Sequence, residues 1–190
     1  MMSLHDQAGG RKYLTREEHI RFLQAADQAP RDVRAFCHTL GWSGCRISEA
    51  LALTAERVNV ATGTITFETL KKRQRGLFRT VPVPPELATM LDLVFGLRGL
   101  KGPAVKAPLW TWSRATAWRR VKEVLAAAGI EGAQASPKGL RHAMGVAAVS
   151  QGIPLNLVQR WMGYAQLTTT AIYAEAVGEE ERSIAARMWR

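Results

Sequence analysis

The spacing of apolar residues changes twice along this chain, and that change constrains the fold more than any other sequence feature. In residues 14–51 the apolar side chains recur at helical spacing. Residues 58–84 instead alternate β-branched and polar side chains around short turns, a pattern typical of antiparallel strands. Helical spacing returns from Pro85 onward. The sequence therefore predicts an α+β fold, mostly α-helical, with a small antiparallel β-sheet.

Several helix starts can be located from capping residues. Thr15 and Glu18 form a capping box, in which each side chain satisfies a backbone N–H of the other residue. Ser113 is a good N-cap for a helix after the Trp-rich loop. Ser136 followed by Pro137 is the preferred pair for the last residue before a helix and its first turn.

The charge of the chain favours a polyanionic partner. Its 190 residues include 26 Lys and Arg against 16 Asp and Glu, which gives a net charge of +10. No apolar run approaches the ~18 residues of a membrane span, and residues 1–10 lack a secretory signal. Cys37 and Cys45 lie in apolar segments and indicate reduced core residues. These features predict a cytoplasmic protein with no membrane partner.

Basic side chains and a tyrosine occur in an order that suits phosphodiester cleavage without a metal ion. Such cleavage needs fixed donors for the phosphate oxygens, a nucleophile, and an acid for the leaving oxygen. Two arginines, a lysine and a tyrosine are a sufficient set. In chain order the candidates are Arg46, Lys71 or Lys72, Lys138 with Arg141, and Tyr173.

Three regions of the chain, at 44–51, 137–142 and 161–173, resemble the motifs of the tyrosine recombinase (phage integrase) family. The segment 44–51 (GCRISEAL) resembles the first arginine box of that family. The segment 137–142 (PKGLRH) resembles the second box, usually written His-x-x-Arg-His. The segments 161–164 (WMGY) and 169–173 (TTAIY) look like the Leu-Gly-His and Thr-x-x-x-Tyr elements. The regions stand in the family's order and at its spacing.

This resemblance implies a mechanism that needs no cofactor and no metal. Tyr173 would attack a DNA phosphate and form a 3′-phosphotyrosyl link, releasing a 5′-hydroxyl that later rejoins a partner strand. Arg46 and Arg141 would bind the phosphate. A lysine of the β-hairpin would protonate the leaving oxygen. A strand period of two favours Lys71, because it shares a face with the alternate strand residues, and Lys72 remains open.

Two positions depart from the family pattern. Lys138 replaces the first histidine of the second box, and is either a site residue or a contact to the DNA backbone. Tyr164 replaces the histidine or tryptophan that usually follows Leu-Gly, and either donates to the phosphate or only packs there. His142 matches a supporting histidine of the family. Glu49 is expected to orient a basic site residue.

The resemblance also predicts how the chain is organised. Residues 1–13 are expected to form a flexible lead and residues 14–176 the catalytic domain. Residues 177–190 are expected to form a C-terminal helix that docks on a neighbouring subunit or packs on its own core. The N-terminal core-binding domain that family members usually carry is not expected.

The implied function is site-specific recombination of double-stranded DNA, as in mobile genetic elements, with self-association into a dimer or tetramer and no small-molecule substrate. Two alternatives use the same fold. One is a DNA-binding protein that has lost catalysis, with Tyr164 marking the loss. The other is a topoisomerase-like enzyme that nicks and closes DNA without joining two duplexes.

Overall fold

The computed structural model describes residues 3–7, 9–69, 76–175 and 186. Within these ranges the α-helices are α1 (Arg16–Asp27), α2 (Arg31–Ser43), α3 (Ile47–Leu51), α4 (Pro85–Phe95), α5 (Arg114–Ala127), α6 (Pro137–Ser150), α7 (Leu155–Met162) and α8 (Thr168–Ala171). The strands are β1 (Val58–Asn59), β2 (Thr64–Glu68) and β3 (Phe78–Pro82). Short 3-10 turns lie at Ala55–Arg57, Leu97–Gly99, Gly102–Lys106 and Ile172–Glu175. The predicted mostly helical α+β fold is confirmed.

The sheet buries one face and carries an unexpected charge there. Strand β2 pairs antiparallel with both β1 and β3. Ile65 and Phe67 of β2 are buried, and they lie opposite Val81 and Arg79 of β3. Arg79 therefore occupies an inward position that the strand period would assign to an apolar residue.

Helix α2 lies at the centre of the hydrophobic core, where it packs against α1, α4, α5 and α6. The apolar stripe of this helix is buried, at Val33, Phe36, Cys37 and Leu40. The indole of Trp110 stacks edge-on against Phe36 at 5.0 Å, and its Nε1 donates to the carbonyl of Asp32 at 2.9 Å. Cys37 and Cys45 are free and buried, as predicted.

The described residues of the N-terminal segment contact the rest of the domain, and the flexible lead expected for residues 1–13 stays a prediction. Leu4 is only 3% exposed and belongs to the same small apolar cluster as Tyr173. His5 and Arg11 form an isolated β-bridge, and the Arg11 guanidinium pairs with Glu18 of α1. One buried leucine and one ion pair therefore hold residues 3–7 and 9–13 against the domain, and sequence polarity alone does not reveal either contact.

At the other end of the chain, the C-terminal helix predicted for residues 177–190 lies outside the described residues, apart from Ala186. In the part of the chain that is described, no helix combines the length and apolar character needed to cross a bilayer.

Helix α6 begins as its capping residues predicted, and a glycine sets how closely it approaches the preceding loop. The hydroxyl of Ser136 accepts from the backbone N–H of Gly139 at 3.1 Å. A Cβ on Gly139 would stand 1.8 Å from the carbonyl oxygen of Gln134, which is backbone and cannot move aside cheaply. Gly139 therefore allows the first turn of α6, which carries Lys138 and Arg141, to lie directly against the 132–136 loop.

We expect Gly139→Ala to lower the free energy of unfolding by about 2 kcal/mol or more, since the added methyl overpacks a backbone contact. Gly99→Ala is the control, because a Cβ there meets no atom within 4 Å. It should change stability by less than about 0.5 kcal/mol. Urea unfolding of both variants measures the difference, and equal stabilities would contradict the packing argument.

Candidate active site

The first site arginine is fixed where α2 ends and α3 begins. Gly44 adopts the left-handed conformation (φ 60°) that ends α2, and Arg46 is the N-cap residue of α3. The carboxylate of Glu49, one turn later, accepts from the backbone N–H of Arg46 at 2.8 Å and from its guanidinium at 2.6 Å. Glu49 therefore holds both ends of Arg46, while the Arg46 side chain remains 20% exposed.

The second site arginine comes from α6 and is nearly buried, at 5% exposure. The guanidinium of Arg141 donates to the carbonyl of Gly44 at 2.6 Å and also to the carbonyl of Met162. These carbonyls lie at the C-terminal ends of α2 and α7, where the helix dipole favours a cation. Arg141 therefore joins three helix ends at one point.

The aromatic ring of Tyr164 lies beside both arginines. The Cζ atom of Arg141 is 4.8 Å from the centre of that ring, and the Cζ atom of Arg46 is 6.0 Å from it. The structure thus brings together two arginines that are far apart in the sequence, on one side of the molecule.

Tyr173 lies next to this arginine pair, in a 3-10 turn after α8. Its hydroxyl is 2.9 Å from the hydroxyl of Tyr164 and 3.1 Å from Nδ1 of His142. Its ring fills the space left by Gly145 of α6, where a Cβ would come within 2.5 Å of the phenol carbon. The Tyr173 side chain is 1% exposed. Burial, and then the charge and hydrogen bond of Tyr164, raise the pKa of Tyr173, although Arg141 and Arg46 oppose the shift. The phenol is therefore protonated at neutral pH.

His142 is a completely buried imidazole in contact with the tyrosine hydroxyl. Burial, and then the nearby charges of Lys138 and Arg141, lower the pKa of His142 to about 4. The ring is neutral at physiological pH, so its Nδ1 can accept or donate one hydrogen bond to Tyr173. Its Nε2 has no hydrogen-bond partner among the described residues.

The lysine candidates differ in what the structure shows of them. Lys138 is exposed in the first turn of α6. Lys71 and Lys72 lie outside the described residues, so the choice between them stays open. The base of their hairpin is described, and there the N–H of Thr69 donates to the carbonyl of Leu77 at 2.7 Å.

Arg79 is a site-adjacent residue that the sequence reasoning missed. Its guanidinium forms a two-pronged pair with Glu49, at 2.6 Å and 3.2 Å, and is 7% exposed. Burial disfavours the Glu49 carboxylate, but the bonds from Arg79 and Arg46 outweigh it and hold the pKa of Glu49 below its usual value. A charged residue at an inward strand position was the available signal. Glu49 contacts two basic residues, and its expected role in orienting one of them stays a prediction.

These contacts create a small site with a defined chemical capacity. Two guanidinium groups can bind the oxygens of one phosphate, and a phenol beside them can act as a nucleophile. The nearby carboxylate of Glu49 is already engaged by Arg46 and Arg79, so it does not repel an incoming anion as a free carboxylate would.

Comparison with known proteins finds a family model and relatives that match most of the chain. The sequence model of the phage integrase family matches residues 12–180. The tyrosine recombinase XerD of Pasteurella multocida is 31% identical over 182 residues, which cover 88% of this chain and 59% of the relative. The tyrosine recombinase XerA of Pyrococcus furiosus is 28% identical over 173 residues, which cover 88% of this chain and 58% of the relative. The chain thus spans less than two thirds of the length of these curated relatives.

Solved structures show the same fold. The crystal structure of XerA recombinase superimposes with a TM-score of 0.78 at 22% identity, over 93% of this chain and 64% of that one. The catalytic domain of bacteriophage HP1 integrase gives a TM-score of 0.63 at 23% identity, over 92% of this chain and 93% of that one. A pre-cleavage complex of XerH recombinase with its difH substrate gives a TM-score of 0.72 at 20% identity, over 98% of this chain and 60% of that one.

The buried neutral His142 predicts a loss of stability in acid. The pKa of His142 is lowered from 6.5 to about 4 in the folded protein. The neutral ring therefore contributes its full share of the free energy of unfolding above pH 6.5, and that share is lost as the pH falls toward 4. Between pH 7 and pH 5 this amounts to about 2 kcal/mol. We expect His142→Gln to lose that part of the pH dependence of urea unfolding, while a matched change at the exposed His5, His5→Gln, keeps it. Identical pH profiles for His142→Gln and the wild type would contradict the assignment.

Proposed function

This chain belongs to the phage integrase family, and on that premise we propose that it is a site-specific recombinase that cuts and rejoins double-stranded DNA through Tyr173. One observation carries the proposal. The hydroxyl of Tyr173 contacts the hydroxyl of Tyr164, and the ring of Tyr164 lies beside both Arg46 and Arg141. The net charge of +10 supports a polyanionic substrate.

The cleavage step follows from these positions. Arg46 and Arg141, which we call the phosphate clamp, bind the non-bridging oxygens and stabilise the charge that develops on them. Once Tyr173 has left its pocket, its oxygen attacks the phosphorus and its proton passes to solvent water. The bond from phosphorus to the 5′ oxygen breaks, and that oxygen takes a proton from Lys71 or Lys72. Attack by a 5′-hydroxyl of a partner strand on the phosphotyrosine reverses these transfers and joins the strands.

Tyr173 must leave its pocket before it can attack. Its hydroxyl is bound to two neighbours and its side chain is 1% exposed, so DNA cannot reach it in this conformation. The burial also keeps the phenol protonated and therefore a weak nucleophile. We propose that DNA binding exposes Tyr173, and that the free protein protects its nucleophile.

The remaining candidates have supporting roles in this proposal. Tyr164 donates a hydrogen bond to the phosphate once Tyr173 has moved, since its ring already lies against both clamp arginines. Lys138 is exposed at the start of α6 and contacts the phosphate backbone beside the cleaved bond. Glu49 orients Arg46.

Strand exchange requires more than one copy of the chain on DNA, and we propose a dimer or tetramer there. A XerH recombinase bound to its difH substrate supports the DNA partner, and a lambda integrase dimer bound to a core site, on the same fold, supports the dimer. Action on double-stranded DNA is consistent with a cytoplasmic location.

A nicked duplex that traps the covalent intermediate tests the nucleophile. We expect the wild-type protein to form a denaturation-resistant adduct with the 3′ end, and Tyr173→Phe to form none. The chain has three tyrosines, so Tyr13→Phe is the matched control and should form the adduct. Arg141→Ala should slow adduct formation by about 100-fold or more, because it removes a charge-stabilising donor.

The same assay separates the alternatives. DNA binding without an adduct would support a protein that has lost catalysis. An adduct without exchange between two labelled duplexes would support the nicking-closing enzyme. An adduct that survives Tyr173→Phe would contradict the assignment of the nucleophile.

A sulfur-substituted duplex identifies the hairpin lysine. When sulfur replaces the 5′ leaving oxygen, the group departs without a proton because a thiol is far more acidic than an alcohol. We expect Lys71→Ala to cut the oxygen duplex about 100-fold more slowly than the wild type and to recover on the sulfur duplex. Lys72→Ala is the matched comparison. The reverse result would assign Lys72, and two fully active variants would exclude both.

A further inference from the structure

Arg79 contacts three parts of the candidate site with one buried guanidinium. Its two terminal nitrogens bind the two oxygens of Glu49, at 3.2 Å and 2.6 Å. The terminal nitrogen Nη1 of Arg79 also donates to the hydroxyl of Thr69 at 3.3 Å, and its Nε donates to the carbonyl of Trp161 at 2.7 Å. We propose that Arg79 is a positioning residue that fixes the phosphate clamp, through Glu49 and the last turn of α7, and also holds Thr69 at the base of the hairpin. This inference rests on the proposed function.

The first link of Arg79 runs to Arg46 through Glu49. Each oxygen of the Glu49 carboxylate accepts one bond from Arg79 and one from Arg46. The planar fork of Arg79 fixes the plane of the carboxylate, because bidentate pairing allows little rotation. The direction of the Arg46 guanidinium is therefore determined by Arg79 as well as by Glu49.

The second link of Arg79 runs to Arg141 through the last turn of α7. Arg79 binds the carbonyl of Trp161 and Arg141 binds the carbonyl of Met162, the next residue. Gly163 then ends the helix with φ 64°, and a Cβ there would stand 3.1 Å from Nε of Arg79. Tyr164 follows directly. Arg79 and Arg141 thus hold the same turn from two directions, and that turn places the Tyr164 ring.

The third link of Arg79 runs to the hairpin. Thr69 begins the connection that carries the lysine candidates, and Lys71 is two residues further on. The Arg79 bond to the Thr69 hydroxyl and the Thr69 bond to Leu77 hold the base of this hairpin. Arg79 therefore also holds the described residue from which the segment with the lysine candidates begins.

Stability alone gives a poor account of a charge at this position. Phe67 lies opposite Arg79 in the buried face of the sheet, and Val81 follows on the same side. Replacing a buried ion pair with apolar side chains is often neutral or stabilising. An arginine at this position can hydrogen-bond to Glu49, Trp161 and Thr69 at the same time, and an apolar side chain could not. The need to hold these three groups in place therefore explains the arginine better than stability does.

The test compares cleavage at saturating DNA in Arg79→Lys and Arg79→Met. Lysine keeps the charge but loses the fork, and methionine loses both. We expect the rate of adduct formation to fall by about 10-fold in Arg79→Lys and about 100-fold in Arg79→Met, with DNA affinity close to that of the wild type. Arg57→Met is the matched control, because Arg57 also pairs with a carboxylate of the sheet, Glu68 at 3.5 Å, without contacting the site. It should cleave at the wild-type rate.

A duplex with an uncharged methylphosphonate at the scissile position distinguishes positioning from general damage. This substitution removes the charge that the clamp neutralises, so it should reduce the Arg79→Lys defect relative to the wild type. A merely structural defect would be equally large on both duplexes and would overturn the proposal. Cleavage by Arg79→Lys at the wild-type rate would also overturn it. In that case the adduct at Tyr173 would still support the proposed function. No adduct from the wild-type protein would overturn both.

Discussion

The arrangement of the site depends on one buried carboxylate. Glu49 is 1% exposed, and it remains ionised because Arg46 and Arg79 supply the hydrogen bonds that water would otherwise supply. Removing either arginine would leave a buried charge without full compensation, which is costly in a medium of low polarity. The carboxylate therefore requires both cations to be in place, and α3 and the sheet are held together as a consequence.

The same network separates two kinds of arginine. Arg79 and Arg141 are almost fully buried, whereas the side chain of Arg46 keeps a fifth of its surface exposed. Arg141 donates to two helix-terminal carbonyls, so a phosphate must use the other N–H donors of its guanidinium. Rigid anchoring of this kind suits a group that stabilises developing charge, because little reorganisation is needed during the reaction.

The proposed nucleophile, Tyr173, is protected by burial instead. Tyr173 sits in a pocket made by Gly145, His142 and Tyr164, where burial opposes formation of the phenolate. Leu4 of the N-terminal segment lies in the same apolar cluster. A pre-formed arginine pair beside a protected tyrosine is consistent with an enzyme whose DNA completes the site.

The sequence by itself determined the order of helices and strands, the caps of α1 and α6, and the residue types able to bind a phosphate. Those features depend on residues a few positions apart, and their periodicities are visible in the chain. Only the tertiary structure decided that Arg79 belongs beside Glu49, that Leu4 packs near Tyr173, and that Tyr164 lies between Tyr173 and the arginines. Such contacts link residues far apart in the chain, and they form because long-range packing must find a partner for every buried charge and polar group.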